Sequence, residues 1–271
     1  MYRSALIAID FSRSTEPMLK RLEYLPRLGV ERVVLAHVKP TADRKNKSRP
    51  ADEIKEELQK LTELLPDSLQ TEVRLLSGEA DEQLITLAGD EKLDLLVTGS
   101  RAHHPAKQLL IGSTAAGLVR KATLPVLLED VRDADEGRNE LPRRDGPMML
   151  ATDGSEAAEE AERVALGLNP ADTPLRVTTV GGNNDIQRGW KRLERVTKRA
   201  EEKGVRLVRS VDVGRPEDVI PQTAAAESIS LIITGRRGRD GVRGVRLGST
   251  AEEICRNANR PVLLVPGKEQ A

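Results

Sequence analysis

Apolar and polar positions alternate along this chain in two rhythms. Short runs rich in Val, Ile and Leu read as strands: ALIAI, RVVLAHV, TEVRLL, DLLVTG and PVLL in residues 1–130, then MMLAT, LRVTTV, VRLVRSVDV, SLIITG and PVLLV in residues 147–271. Between them, stretches such as EPMLKRLEYL, ADEIKEELQKLTELL and AAEEAERVALGL carry apolar residues at helical spacing. Strands that alternate with helices predict a parallel sheet covered on both faces. LLVTG and LIITG are apolar without a break, as central strands buried on both sides would be. Right-handed crossovers then give an α/β fold of two tandem doubly wound, Rossmann-like domains, each with a five-stranded parallel sheet and helices on both faces.

The second rhythm repeats the first. SGEADEQLITLAGDEKLDLLVTGSRA aligns without a gap to VGRPEDVIPQTAAAESISLIITGRRG at an offset of 136 residues. The offset holds through IGSTAAGLVRKATLPVLL and LGSTAEEICRNANRPVLL. Upstream, ALIAIDFS matches MMLATDGS at an offset of 143, so the first copy has seven extra residues in between. The polar loop VKPTADRKNKSRPADE, shortened to VGGNNDI in the second copy, is the expected place for them. A charged stretch without apolar period, EDVRDADEGRNELPRRDGP, separates the copies and predicts a solvated linker over 131–146.

Composition narrows the function. Lys plus Arg equals Asp plus Glu at 43 each, so no bulk charge favours nucleic acid or an acidic membrane. One Trp, one Phe and two Tyr argue against stacking platforms for single strands. The lone Cys255 excludes an intrachain disulfide, and beside Ile254 in AEEIC it reads as a small buried apolar residue. His37 lies on a strand, and His103 and His104 adjoin each other in a loop. No zinc motif is present, and no metal ligands or catalytic residues are assigned. No apolar run approaches membrane-spanning length and MYRSALIAID does not read as a signal peptide, so the expected location is cytoplasmic.

The local exception to even charge is GRRGRDGVRGVRLGST, residues 235–250, with five glycines and five arginines. In both copies the fourth strand ends in Thr-Gly, a loop follows, and Gly-Ser-Thr opens a helix. Ligands of open α/β sheets bind beyond the carboxyl ends of strands, and helix N-termini favour phosphate. Gly235, Gly238 and Gly248 admit close backbone approach, Arg236, Arg237, Arg239, Arg243 and Arg246 supply charge, and Ser249 and Thr250 can cap the helix or meet a phosphate. A flexible exposed loop ahead of a plain cap is the alternative. G-x-x-x-x-G-K-[ST] and G-x-G-x-x-G are both absent.

The spacing Gly235-x2-Gly238-x9-Gly248-Ser249 resembles the nucleotide-binding signature of the universal stress protein (UspA-like) family. AIDFSRST and ATDGSEAAEEA resemble its first strand and acidic turn, and LPVLLED and RPVLLVP its last strand. The resemblance covers nearly the whole chain as two tandem domains, and implies the adenine nucleotide α hydrolase-like variant of the fold and a role in stress response. It implies ATP or a related adenine nucleotide, with Mg2+ bridging phosphates. Asp153 would face adenine and ribose, the Val180 backbone the base, and Gly235, Arg236, Gly238, Gly248, Ser249 and Thr250 the ribose and phosphates. It also implies dimer pairing through last strands, which a tandem chain satisfies as an intrachain pseudo-dimer or extends as a homodimer.

The first copy departs from the signature. Gly99 is followed by Ala102 where the second glycine belongs, then, after nine intervening residues, by Gly112, Ser113 and Thr114. Its loop HHPAKQLLI lacks the arginines and gains Pro105, while Asp10 and Val38 remain. A methyl at 102 would clash with phosphate or penalise a left-handed backbone, so weak or absent binding is expected there. No nucleophile–base pair is evident, and slow ATP hydrolysis is the most an enzymatic reading supports. The competing readings are a non-catalytic protein-interaction module and a nucleotidyl-transferring enzyme. The latter is disfavoured because SRSTEPMLK and SEAAEEAER hold no histidine pair.

Overall fold

The computed structural model describes residues 2–40, 49–100, 111–131, 145–238 and 247–267. The chain divides into two compact units, Met1–Arg138 and Asn139–Ala271. The expected linker lies almost wholly outside the described residues.

In the first unit the order is β1 (Ser4–Ile9), α1 (Thr15–Arg21), β2 (Arg32–Lys39), α2 (Ala51–Thr62), β3 (Gln70–Ser77), α3 (Ala80–Asp90), β4 (Leu95–Gly99), α4 (Ser113–Lys121) and β5 (Val126–Glu129). The second unit repeats it: β6 (Met148–Ala151), α5 (Glu159–Leu168), β7 (Leu175–Gly181), α6 (Ile186–Lys203), β8 (Leu207–Val213), α7 (Pro216–Ala226), β9 (Leu231–Gly235), α8 (Ser249–Asn257) and β10 (Val262–Val265). Strands are parallel in the orders β3-β2-β1-β4-β5 and β8-β7-β6-β9-β10. This is the predicted α/β fold, made twice.

Strand composition follows position. Ala5, Leu6 and Ile7 of β1 and Leu95, Leu96 and Val97 of β4 are wholly buried, which explains their unbroken apolar run. β3 lies at an edge and is more polar. Arg32, Glu72, Arg74 and Glu91 form an ion-pair network across β2 and β3. In each unit the chain moves one way from the first strand and returns to place the fourth strand on its other side. That reversal opens a crevice beyond the carboxyl ends of the first and fourth strands. In the second unit α5 packs on α6, and α7 on α8. Right-handed crossovers put these pairs on opposite faces.

The repeat is not uniform. Ala8 lies opposite Ala36, while its equivalent Ala151 lies opposite Thr178. This register aligns Val38 with Val180 and His37 with Thr179. One of the seven extra residues of the first unit therefore precedes β2, and six lie between β2 and β3, a correction to placing all seven in the polar loop. The extra residue accompanies a 3-10 helix, Leu22–Leu28, that continues α1 and contains Pro26. The run EPMLKRLEYL, expected as one helix, splits there.

Candidate functional site

In the second unit the first strand stops at Ala151 because the next residues form a turn with internal partners. Thr152 donates its amide to the Thr178 carbonyl at 3.0 Å. Its hydroxyl donates to Glu162 at 2.9 Å and accepts the Gly154 amide at 3.1 Å. The Asp153 carboxylate accepts the Ser155 amide at 3.0 Å. Gly154 has φ of +69°, and a Cβ there would lie 2.6 Å from the Arg192 carbonyl oxygen, so the turn needs glycine for conformation and for space.

A buried charge pins this turn to two helices. Glu162 on α5 is fully buried and accepts two N–H bonds from Arg195 on α6, at 2.9 and 2.8 Å. Arg195 also donates to the Ser155 carbonyl at 2.7 Å. The Glu162 carboxylate holds the Arg195 pKa above its ordinary value.

The other wall comes from the end of β9. The Arg236 amide donates to Val265 at 3.0 Å, and the Arg236 carbonyl accepts from the Gly248 amide at 2.7 Å. Residues flanking the glycine-rich loop are thus brought together at the start of α8. Gly248 is the helix N-cap and has no side chain to accept a first-turn amide. Ser249 and Thr250 are the first residues inside the helix, a correction to reading them as caps. A Cβ on Gly238 would lie 2.8 Å from the Asp153 Oδ2, so loop and turn touch.

These walls enclose a cavity of about 600 Å3. Asp153, Val180, Gly235, Arg236, Gly238, Gly248, Ser249 and Thr250 all line it. So do residues that sequence reasoning missed: Thr179, Arg192 and Glu252. Thr179 is buried, and its hydroxyl has no hydrogen-bond partner among the described residues. Glu252 pairs with Arg256 at 2.7 Å. Among the cavity-lining residues Arg192, Arg236 and Arg237 face two carboxylates, Asp153 and Glu252, which leaves cationic character beside an uncapped helix start. Arg239, Arg243 and Arg246 lie outside the described residues. No cluster of metal-ligating side chains occurs among the described residues.

The first unit brings Asp10, Val38, Gly99, Gly112, Ser113 and Thr114 to an equivalent cavity of about 340 Å3. Asp10 accepts the Ser12 amide at 2.9 Å and the Thr15 hydroxyl at 3.1 Å. Phe11 occupies the left-handed position of Gly154, with φ of +55°. Its ring centroid lies 4.7 Å from that of His37, and the Arg49 guanidinium carbon is 5.6 Å from the ring centre. Arg49 also pairs with Glu53 and Glu57. His37 donates Nδ1–H to the Ile9 carbonyl at 2.7 Å, a satisfied strand histidine that also lines the cavity. Ala102, His103, His104 and Pro105 lie outside the described residues.

Two other features lie away from the cavities. Cys255 is buried and its thiol pKa is pushed up by burial, so thiolate chemistry is suppressed. Trp190 on α6 is half-exposed beside Arg209, whose guanidinium lies 5.9 Å from the indole centre. Among the described residues no helix is long and apolar enough to cross a membrane.

Comparison with known proteins follows the repeat. The profile of the Universal stress protein family matches residues 1–129 and again 146–266. Universal stress protein MJ0577 of Methanocaldococcus jannaschii is 26% identical over 153 residues, covering 47% of this chain and 94% of its own. A universal stress protein of Mycolicibacterium smegmatis is 27% identical over 218 residues, covering 73% of this chain and 69% of its own. Over full length, the crystal structure of a universal stress protein from Archaeoglobus fulgidus superposes with a TM-score of 0.75 at 20% identity, covering 99% of this chain and 97% of the other.

Proposed function

The chain belongs to the universal stress protein family as a tandem of two such domains, and from that premise we propose that it is a regulatory protein whose C-terminal domain binds an adenine nucleotide, with ATP as the ligand. The carrying observation is the convergence of Asp153, Val180, Gly238, Gly248 and Ser249 on one cavity, with cationic side chains at the mouth of α8. The volume suits a nucleotide-sized ligand. Gly238 supports the fit, since a Cβ there would fill space against the Asp153 carboxylate.

In this reading the α8 amides and Arg236 take the phosphates, and Asp153 and the Val180 backbone take the ribose and base. Mg2+, when bound with the nucleotide, would supply charge neutralisation at the phosphates, and no cluster of His, Cys, Asp and Glu among the described residues would hold it. Binding would alter a surface that partners read. No residue is assigned a catalytic role.

For the N-terminal domain the second reading, an interaction module with little nucleotide binding, is supported by its smaller cavity and by an Arg49 already paired to Glu53 and Glu57. Isothermal titration of the whole chain with ATP should give one site. Gly238→Ala should lower that affinity by about tenfold or more, because the added methyl meets the Asp153 carboxylate. Absence of both heat and thermal shift would replace the nucleotide reading with the interaction module for the whole chain.

A further inference from the structure

The C-terminal cavity contains two polar groups that the family signature does not use. Thr179 is 2% exposed, lines the cavity, and has a hydroxyl with no hydrogen-bond partner among the described residues. Leaving a buried hydroxyl unmatched is costly, so such a group commonly awaits a ligand or water. Arg192 lies across the same region. Its Cβ sits 2.7 Å from where a Gly154 Cβ would be, and its Nη1 is 3.6 Å from the corresponding position at Gly181. The side chain therefore runs from the Asp153 turn toward the end of β7 and lines the cavity on the way. No ion pair or hydrogen bond engages its guanidinium among the described residues.

The first unit shows what is different here. His37 stands at the Thr179 position and is satisfied by the Ile9 carbonyl. Arg49 lies over Phe11 and pairs with Glu53 and Glu57. Both groups are engaged internally in the first unit, while Thr179 and Arg192 remain available in the second.

We propose that Thr179 and Arg192 are base-recognising residues of the C-terminal site: the Thr179 hydroxyl hydrogen-bonds a ring or exocyclic nitrogen of the purine, and the Arg192 guanidinium lies on the purine face. This rests on the nucleotide reading and adds base selectivity to it. Thr179 adjoins Val180 in the chain, and the Arg192 Nη1 reaches toward Gly181, the strand end that the nucleotide reading assigns to the base. A planar cation over an aromatic face is attractive, and more so where water is excluded.

The test measures adenosine, AMP and ATP binding to the full chain by calorimetry, with wild type, Thr179→Val, Thr179→Ser, Arg192→Met and Arg192→Lys. Thr179→Val should weaken all three ligands by a common factor of about five to ten. Thr179→Ser keeps the hydroxyl and should stay within about twofold of wild type. Both Arg192 variants should weaken adenosine by about three- to tenfold, Lys included, because it keeps the charge but loses the plane. A loss that grows from AMP to ATP and is rescued when Lys replaces Arg192 would place Arg192 at the phosphates and overturn the assignment. Unchanged affinity in Thr179→Val and Arg192→Met, with wild type still binding ATP, would overturn it as well. If wild type binds none of the three ligands, the nucleotide reading fails and the base assignment goes with it.

Discussion

At the tip of its first strand, each half of this protein builds the same turn from different materials. The N-terminal half places Phe11 in a left-handed conformation and covers its ring with His37 and Arg49. The C-terminal half places Gly154 there, lets α6 approach to near backbone contact, and leaves Thr179 and Arg192 facing a larger cavity. Beneath the turn the contrast recurs. Leu19 is fully buried in α1, and its equivalent in α5 is the fully buried Glu162, held by Arg195 and Thr152. One half satisfies its groups with apolar and local partners. The other holds its turn with a buried charge network beside a larger cavity. Duplicated folds can thus keep a scaffold while the two copies line their crevices differently.

Substitutions can exchange the two solutions. The largest effect is expected from Glu162→Ala, which strands Arg195 and frees the Thr152 hydroxyl. It should cost about 3–5 kcal/mol in denaturant unfolding, as breaking a buried pair does. Leu19→Ala in the other half should cost about 2–5 kcal/mol through a cavity alone, with no change in pH dependence.

Next, Gly154→Ala should destabilise by about 1–3 kcal/mol, since the methyl meets the Arg192 backbone and the left-handed position disfavours a side chain. A melting curve that does not move would contradict the close approach of α6. The reverse change, Phe11→Gly, should relieve about 1 kcal/mol of backbone strain. It also removes the contacts of Phe11 with His37 and Arg49, so net stability should shift by less than Gly154→Ala does.

The smallest effect concerns the edge of the N-terminal sheet. Hydrogen bonds from Arg32 and Arg74 lower the Glu72 pKa to about 2. A depressed carboxylate contributes stability above its unfolded pKa, and that contribution fades as pH falls through the folded value. The difference between wild type and Glu72→Gln should therefore be constant near neutrality and shrink between about pH 4.5 and 2. Glu72 is 40% exposed, so salt should diminish it too.

Much of this was readable in the chain before any fold was known. Short apolar runs recurring in both copies located ten strands, the central ones most plainly, because strands buried on both faces are written as unbroken apolar runs such as LLVTG and LIITG. The family resemblance that the glycine spacing carries implied eight site residues, and all eight line one cavity. Other features were hidden for physical reasons. The split of EPMLKRLEYL into α1 and a 3-10 helix goes with the burial of Leu22 and Leu25 just ahead of Pro26, and periodicity does not register that. Glu162 sits in AAEEAERVALGL beside the half-buried Glu159 and Glu160, and the approach of Arg195 from another helix distinguishes it. Arg192 is one cation among many in RGWKRLERVTKR, and Thr179 one hydroxyl in LRVTTV. Their significance arises where β7 and α6 converge on the turn.

The aromatic residues are distributed in a way that has a practical consequence. Tyr2 and Tyr24 belong to the N-terminal unit, and Trp190, the sole indole of the chain, sits on α6 two positions from Arg192. Light absorbed at the red edge of the protein spectrum therefore excites the C-terminal domain alone. Its emission reports on that domain's unfolding while the N-terminal copy stays dark.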